Sequence, residues 1–354
     1  MVNKLDVLVV YSGKSAVSAS DLSSPTLYPF PGFSGKSNYN QSYSYFLNTC
    51  QALGLKAAFS TSSDIMGAGL CKSYWEHDGV SWGKNSGLCY AQNIFDKLSP
   101  SSSHKIDQRA LLFSSPSIVP FNSLEISTIF TDKLKSYQKL SSFAIPTVKV
   151  GASVALALSS LASLVASHPH RSDFGSALVL KDRFGAGGQD IHLIKSNFIS
   201  KIKRLIKASP KRSYVLQPFL DFDLGYSYGE KKVRADLRLI YQNTKLIQTY
   251  IRIAQDQSFL CNRHQGGNLI YVKKTQIPAL VLKMGEEINN KLKVKRALYA
   301  LDFVVSNTGN CYFLEGNTGP GIDWDSSLTI DEHMNKKLIR GIVLELAKRV
   351  RANS

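Results

Sequence analysis

The sequence has few acidic residues, few cysteines and no long apolar run, and each scarcity excludes a class of protein. Its 26 Asp and Glu residues face 43 Lys and Arg residues, so the 354-residue chain carries a formal net charge of +17. The five cysteines include no C-x-x-C pair, which argues against a zinc knuckle or disulfide framework and for a reducing compartment. The most apolar segment, residues 154–166, contains three serines and is too short to span a bilayer. We therefore expect a cytoplasmic protein without membrane contact.

The positive charge is concentrated in the second part of the chain. Residues 1–125 hold 9 basic and 8 acidic side chains, whereas residues 126–354 hold 34 and 18. A positive excess of this size favours an anionic partner. The candidate partners are nucleic acid, a membrane surface and a small ligand that is acidic or carries phosphate. Hydrophobic residues make up 44% of the chain, enough to bury a core. The asymmetry predicts two functional parts.

The order of predicted elements favours an α/β protein that begins with a small open domain. Residues 6–11 form a continuous apolar strand, typical of a parallel sheet that is buried on both faces. Residues 12–43 are rich in Ser, Tyr, Pro and Gly and predict a long loop. A helix is expected over residues 45–53, a second strand over residues 55–60, and a short helix over residues 94–98.

A glycine-rich loop between two predicted strands is the first motif with chemical content. Residues 177–194 run from a strand that ends at Lys181, through Gly185, Gly187 and Gly188, into a second strand. Glycines let backbone amides approach phosphate oxygens, and a lysine adds a point charge. The alternative is an ordinary glycine-rich hairpin. No helix follows the glycines, so the loop is not a Rossmann fingerprint.

Three oxygen-bearing side chains lie on a predicted hairpin near the C-terminus. Asp302 begins one strand, and Glu315 and Asn317 end the other on the same face. Two carboxylates and an amide oxygen are hard ligands that suit Mg²⁺ bound to nucleotide phosphates. The alternative is a solvated hairpin with a cap at Asn317, but the flanking residues look buried, where unpaired charges are costly. The pattern therefore favours a metal site.

Two further segments supply polar groups. The strand end at residues 214–223 could offer backbone groups to an adenine edge, although a plain strand end is the usual explanation of such a segment. Asp236 and Arg238 share one strand face, Arg252 lies on the next strand, and Asn262 lies in the following loop. Arginines among carboxylates and phosphates can neutralise charge that develops in phosphoryl or acyl transfer.

In chain order these pieces resemble the ATP-grasp superfamily of ADP-forming ligases, and most closely its ribosomal-protein glutamate ligase and glutathione synthetase-like branch. The resemblance covers residue 129 to the C-terminus and rests on TDKLKSYQKLSSFAIPTVKVG, VLKDRFGAGGQDI, LQPFL, DLR, YIRIA, FLCNRHQGG and DF…FLEGNTGPG. It implies a two-subdomain α+β grasp fold over residues 126–354, divided into 126–220 and 221–354. A pre-grasp α/β domain at residues 1–125 would precede it.

The resemblance also implies roles for individual residues. Asp302, Glu315 and Asn317 would hold Mg²⁺, or Mn²⁺ in its place. Arg238, Arg252 and Asn262 would be catalytic. The residues implied for ATP binding are Lys133, Lys181, Gly185, Gly187, Gly188, Gln217, Pro218, Phe219, Leu220 and Asp236. The implied reaction joins the carboxylate of one small molecule or peptide to the amine of another through an acylphosphate, and a homo-oligomer is compatible with the resemblance.

The sequence departs from this branch, and the departures leave alternatives open. Pro218 replaces the usual hinge glutamate, Leu260 replaces an arginine, and residues 224–232 are an insertion. Leu260 is consistent with a second reading, an ATP-grasp nucleotide-binding protein that lacks ligase activity. A third reading, a nucleic-acid-binding protein, has its best support in the seven Lys and Arg of residues 195–212. Phe198 is the only aromatic residue there, so the run instead indicates a solvated helix face or an acidic substrate.

Overall fold

The structure is a computed structural model that describes residues 1–21, 23, 25–32, 36–98 and 103–353. The chain folds into two compact units, which are described separately below. The first unit combines Met1–Leu124 with Gly319–Ser354, and the second is the continuous segment Glu125–Thr318. Among the described residues, no helix is both long enough and apolar enough to cross a membrane.

Helices and strands are numbered in chain order over the described residues. The helices are α1 (Asn38–Ala52), α2 (Ser103–Leu112), α3 (Leu124–Thr131), α4 (Lys133–Leu140), α5 (Val154–Ala166), α6 (Phe198–Ala208), α7 (Ala279–Leu292) and α8 (Thr329–Asn353). The strands of the first unit are β1 (Asn3–Tyr11), β2 (Ala57–Thr61), β3 (Ile65–Gly67), β4 (Leu70–Cys71), β5 (Tyr74–His77), β6 (Trp82–Asn85), β7 (Cys89–Lys97) and β8 (Val119–Pro120). The strands of the second unit are β9 (Val148–Val150), β10 (Phe174–Asp182), β11 (Ile191–Ile194), β12 (Tyr214–Leu220), β13 (Tyr226–Tyr228), β14 (Lys231–Val233), β15 (Ala235–Gln242), β16 (Lys245–Ile253), β17 (Asn268–Tyr271), β18 (Leu298–Val305) and β19 (Cys311–Asn317).

The first unit is built around one sheet with the strand order β3-β4-β7-β1-β2-β5-β6, and β8 pairs with β7. Strand β1 lies between β2 and β7, parallel to both, and its residues from Val7 to Tyr11 are buried. The predicted buried strand is therefore confirmed. The helix predicted over residues 94–98 is wrong, because this segment continues β7, where Ile94 pairs with Leu8. The predicted loop also ends early, because α1 begins at Asn38.

Helix α8 completes the first unit, although the sequence assigned residues 319–354 to the second domain. Its side chains Leu338, Ile339 and Ile342 are buried, and it packs against α1 and β7. Arg349 Nη1 donates to the carbonyl oxygen of Phe121 at 2.8 Å, and its guanidinium lies 4.4 Å from that ring's centroid. The apolar face of α8 thus joins the core formed by the N-terminal part of the chain. No local sequence pattern indicates this packing.

The second unit contains a four-stranded antiparallel sheet with the order β11-β10-β12-β9. Helices α5 and α6 cover one face, where Leu161 and Ile202 pack on Leu180 and Leu216. Helix α6 carries much of the basic run, with exposed Lys and Arg side chains opposite Ile202. This arrangement agrees with the predicted solvated helix face.

A five-stranded antiparallel sheet, β17-β16-β15-β18-β19, forms the rest of the second unit with the small β13–β14 hairpin. This hairpin accounts for most of the insertion predicted at residues 224–232. One face of the large sheet is apolar, and there Leu237, Leu239 and Phe303 pack with Val281 and Ile288 of α7. Because side chains alternate along a strand, the other face carries Asp236 and Arg238 of β15 and, opposite Arg238, Asp302 of β18.

Candidate active site

Four charged side chains form a buried network on the polar face of the five-stranded sheet. Arg238 donates through Nε and Nη2 to both oxygens of Asp302 at 2.5 Å, and it lies opposite Asp302 in the strand register. Arg252 donates to both oxygens of Asp236 at 2.7 and 2.8 Å, and its Nη2 also reaches Asp302 at 2.8 Å. Tyr250 accepts a further hydrogen bond from Arg238 at 3.1 Å. We call these four charged residues the arginine network.

The arginine network balances two positive charges with two negative charges. Asp302 has no solvent exposure. Burial alone would raise its pKa, but Arg238 and Arg252 outweigh burial and hold it below the ordinary value. Asp236 is also buried, and burial raises its pKa to about 6; the nearby charge of Asp302 adds to this shift, and Arg252 opposes it. The network is therefore pre-formed and holds charged groups in fixed positions on the sheet.

A largely apolar pocket lies beside the arginine network, and the predicted adenine hinge forms one wall of it. Gln217, Pro218, Phe219 and Leu220 all line this pocket. The Gln217 side chain donates to Thr147 Oγ1 at 2.8 Å, so it braces β12 from behind. The remaining lining is mainly apolar and aromatic, which suits the flat ring of a nucleobase. The additional apolar lining residues are Ile145, Val179, Ile191, Phe222, Phe259, Leu260, Cys261, Val304 and Leu314.

Polar residues from several elements converge on the same pocket. Lys181 from β10, Asp236 from β15, Asn262 from the loop after β16 and Glu315 from β19 all line it. Lys181 is 8% exposed, and burial lowers its pKa to about 8, although the nearby Glu315 opposes this shift. An anion bound beside Lys181 would favour its charged form. The pocket thus combines an apolar slot with a positively charged end, as a nucleotide requires.

Two contacts hold the first part of the glycine loop. Lys133 Nζ donates to the carbonyl oxygen of Gly185, and Arg183 pairs with Asp132, the N-cap residue of α4, at 2.5 Å. Asp132 therefore both caps α4 and holds the start of the glycine loop, and Lys133 lies against the same part of the loop.

Glycine is required at Gly188, where two loops approach each other, and at Gly267, where the backbone of one loop folds closely on itself. Gly188 has φ +76°, and a Cβ there would lie 2.8 Å from Gln265 Cγ and 3.0 Å from Asn262 Oδ1. A Cβ on Gly267 would lie 2.0 Å from the carbonyl oxygen of Cys261. The loop at residues 185–188 therefore packs on the segment that carries Asn262, and Gly187 lies beside His264 in the same contact.

The three predicted metal ligands share one face of a hairpin. Asp302 pairs with Glu315 in the register of β18 and β19, and Asn317 lies two residues beyond Glu315. These are hard oxygen donors, and Glu315 is half-buried at the pocket wall, so the set fits a divalent cation that contacts phosphates. Asp302 differs from the expectation, because both of its oxygens already accept hydrogen bonds from arginines. Among the described residues, no three His, Cys, Asp or Glu side chains cluster as a metal site.

The apolar walls of the pocket were not found from the sequence. Phe259 contacts Phe219 with ring centroids 5.9 Å apart, but it falls in a segment without periodicity. Ile145 and Val304 look like ordinary strand residues, and only the pairing of the sheets shows that they face a pocket. Tyr250 was not predicted, because an alternating strand pattern does not distinguish a buried tyrosine that has a polar partner from one that has none.

Comparisons with known proteins agree with this geometry. Residues 130–342 match the RimK-like ATP-grasp domain family. The coenzyme gamma-F420-2:alpha-L-glutamate ligase of Methanococcus maripaludis is 26% identical over 155 residues, which are 44% of this chain and 48% of that protein. The chain thus spans about half of the length of this curated relative.

Solved structures share the fold over almost the whole chain. D-alanyl-alanine synthetase A from Vibrio cholerae is 10% identical with a TM-score of 0.59, and the match covers 99% of each chain. The ATP-grasp ligase PsnB, complexed with a phosphomimetic variant of a minimal precursor, Mg and ADP, is 12% identical with a TM-score of 0.54, covering 97% of this chain and 99% of that one. The predicted mixed α/β grasp fold is confirmed, and the chain belongs to the RimK-like ATP-grasp family.

Proposed function

We propose that the protein is an ATP-dependent, ADP-forming ligase that joins a carboxylate to an amine. The observation that carries the proposal is the convergence of the hinge, Lys181, Asp236, Asn262 and Glu315 on one pocket. These residues come from distant parts of the chain, and an apolar slot with a buried lysine and carboxylates is the combination that a nucleotide uses. The curated relative is named a glutamate ligase, which agrees with the proposed reaction class.

In this proposal the pocket binds ATP with its adenine between apolar walls. The hinge at residues 217–220 would offer backbone groups to the base edge, and Lys133 and Lys181 would face the phosphates. The glycine loop already contacts Lys133, so it would cover the phosphates and exclude water. Exclusion of water matters because an acylphosphate is readily hydrolysed.

The chain supplies donors and charge for the reaction but needs no nucleophile of its own. The substrate carboxylate attacks the γ-phosphorus, ADP leaves, and an amine then displaces phosphate to form the amide. Arg252 is hydrogen-bonded to Asp236, which lines the pocket, and Arg238 shares the partner Asp302 with Arg252, so both arginines would stabilise the negative charge of the acylphosphate as it forms. Mg²⁺ held by Asp302, Glu315 and Asn317 would neutralise the phosphates; in PsnB, both Mg and ADP are bound.

A second candidate function rests on Leu260. This residue lines the pocket where the related branch has an arginine, so one positive charge is missing there. A protein that binds ATP but transfers no phosphate would have the same pocket. The arginine network favours the ligase, because it places two guanidinium groups on the same sheet face, and a nucleotide-binding protein has no need of them.

ADP release distinguishes the two candidates. The full-length protein is mixed with ATP, Mg²⁺ and pools of amino acids and short peptides, and we expect release above the background without substrates. Glu315→Gln should abolish it while leaving thermal unfolding unchanged, because Glu315 is half-buried and takes no part in the arginine network. Pool-independent ATP binding without ADP release would favour the binding protein. Unchanged ADP release by Glu315→Gln would contradict the site assignment.

A further inference from the structure

A second cluster of charged residues lies in the first unit, at the carboxyl ends of its parallel strands. Tyr11 ends β1 and Lys97 ends β7, and the two residues pair in register. Lys36 and Tyr39 from the start of α1, and Asp323 from the C-terminal segment, complete the group. We call these five residues the lysine–tyrosine cluster. Ligands of open α/β sheets bind outside the carboxyl ends of the strands, which is the position of this cluster.

The cluster holds more positive than negative charge. Lys97 Nζ donates to the carbonyl oxygen of Pro320 at 2.7 Å, and Lys36 Nζ donates to the Tyr11 hydroxyl at 3.3 Å. Both lysines interact electrostatically with the same carboxylate, Asp323. The neighbouring Asp96 is paired with Arg109 at 2.8 Å. Counted over its own five residues, the cluster therefore holds two ammonium groups and one carboxylate, a formal charge of +1.

The Tyr43 hydroxyl gives an independent indication of a missing ligand. Tyr43 is 1% exposed, and its hydroxyl has no hydrogen-bond partner among the described residues. Its ring packs edge-on against Tyr11 and Tyr39, at centroid distances of 5.7 and 6.4 Å. Burial, followed by the electrostatic effect of Tyr11, Tyr39 and Asp323, raises its pKa, so the hydroxyl lies near the polar groups of the cluster. A buried hydroxyl without a partner calls for an explanation, and an acceptor from a ligand is one.

The ammonium group of Lys97 gives a second indication of a missing ligand. Burial lowers its pKa to about 8, Asp323 and Asp96 oppose the shift, and Lys36 adds to it. Its charged form therefore lacks sufficient compensation within the unit. A negatively charged ligand group would supply that compensation and accept hydrogen bonds from Lys97.

We propose that the lysine–tyrosine cluster binds the carboxylate group of an amino acid or another small organic acid. A single carboxylate balances the excess of one positive charge, whereas a phosphate dianion would exceed it. The surrounding rings, including Phe30 at 5.0 Å from Tyr11, are buried and give the cluster an apolar setting in which an uncompensated charge is costly. The link of this site to catalysis rests on the proposed ligase function, in which such a molecule is a substrate, but the binding itself does not.

Protection of Lys97 from chemical labelling tests the proposal. The full-length protein is briefly treated with formaldehyde and cyanoborohydride, and methylation of each lysine is measured by peptide mass spectrometry. A pool of amino acids and small dicarboxylates should lower Lys97 labelling several-fold relative to the exposed Lys4, which corrects for reagent consumed by the pool. Chloride and inorganic phosphate at equal ionic strength are the comparison arms. Unchanged Lys97 labelling, or equal protection by phosphate or chloride, would overturn the proposal.

A pair of conservative variants shows whether the Tyr43 hydroxyl belongs to the site. Tyr43→Phe removes an unpartnered hydroxyl, so we expect normal unfolding but several-fold weaker protection of Lys97 at subsaturating pool concentration. Tyr74→Phe is the matched control, because its hydroxyl accepts from Asn3 at 2.8 Å and lies outside the cluster. Tyr74→Phe should leave protection unchanged. Equal protection in Tyr43→Phe and the wild type would remove Tyr43 from the site.

The experiment separates the two proposals. The labelling needs neither ATP nor turnover, so protection of Lys97 without ADP release would support the carboxylate site and reject the ligase. ADP release with no protection of Lys97 would keep the ligase and reject this site.

Discussion

The two units hold their buried charges in opposite ways. In the second unit, Arg238 and Arg252 are matched by Asp236 and Asp302, and most of their donors have acceptors. In the first unit, two lysines share Asp323, and a tyrosine hydroxyl nearby has no partner among the residues that the structure describes. In the first arrangement each charge is paired within the network, which holds its groups in fixed positions. The second arrangement has one more positive than negative charge, which an external anion would balance.

Removing a carboxylate from the complete network should have the largest effect. Asp302→Asn leaves Arg238 and Arg252 buried with only Asp236 as a charged partner, so we expect a loss of about 3–5 kcal/mol in the free energy of unfolding. Urea titration followed by circular dichroism measures it. Asp323→Asn is the counterpart in the first unit and should cost less than about 1 kcal/mol, because Asp323 is only half-buried. Equal losses in the two variants would contradict the conclusion that the two units hold their buried charges in different ways.

The second expected effect concerns a paired hydroxyl. Tyr250→Phe removes the acceptor of Arg238 Nη1, and the buried donor loses a partner, so the variant should be about 1–3 kcal/mol less stable. The same urea titration measures this loss. A variant as stable as the wild type would show that another group, such as water, replaces the hydroxyl.

The third effect is a change in pH dependence. An unfolded Lys97 has the ordinary pKa of 10.5, whereas the folded value is about 8, so between these values the unfolded state binds more protons. Wild-type stability should therefore rise with pH across this window, and Lys97→Met should flatten the rise. Thermal unfolding from pH 7 to 10.5 is the measurement. Lys181 titrates in the same window and preserves part of the slope. An unchanged slope in the variant would show that Lys97 is not desolvated.

The smallest effect should come from the unpartnered hydroxyl. Tyr43→Phe breaks no hydrogen bond among the described residues, so its free energy of unfolding should stay within about 0.5 kcal/mol of the wild type or rise slightly. The comparison with Tyr250→Phe is direct, since both changes delete one buried hydroxyl. A loss in Tyr43→Phe as large as in Tyr250→Phe would show that the Tyr43 hydroxyl has a partner in the free protein.

Much of the second unit could be predicted because its signals are local. The glycines before β11, the strands on either side of them and the carboxylates of the β18–β19 hairpin are readable within short windows. The ion pairs could not be predicted, because strand register decides that Arg238 faces Asp302. The first unit was harder. Its short strands β3 to β6 pair across the sheet, and their Gly- and Trp-rich sequence has no clear period.

The lysine–tyrosine cluster could not be predicted from the sequence either. Its members come from residues 11, 36, 39, 97 and 323, so no motif links them. Lys97 in particular closes a segment that the sequence predicted as a helix, and the parallel pairing with β1 decides where its side chain lies.

The discontinuity of the first unit has a consequence for how the chain folds. The first unit is formed by two separate segments, one of which contains α8, whereas the second unit is one uninterrupted segment that lies between them in the chain. Within that segment, Phe130 near its start packs directly on Gly316 near its end, where a Cβ would lie 2.3 Å from the ring. Folding of the inserted segment therefore brings its two ends together and shortens the loop that the first unit must close. The second unit thus lowers the entropic cost of bringing the two segments of the first unit together.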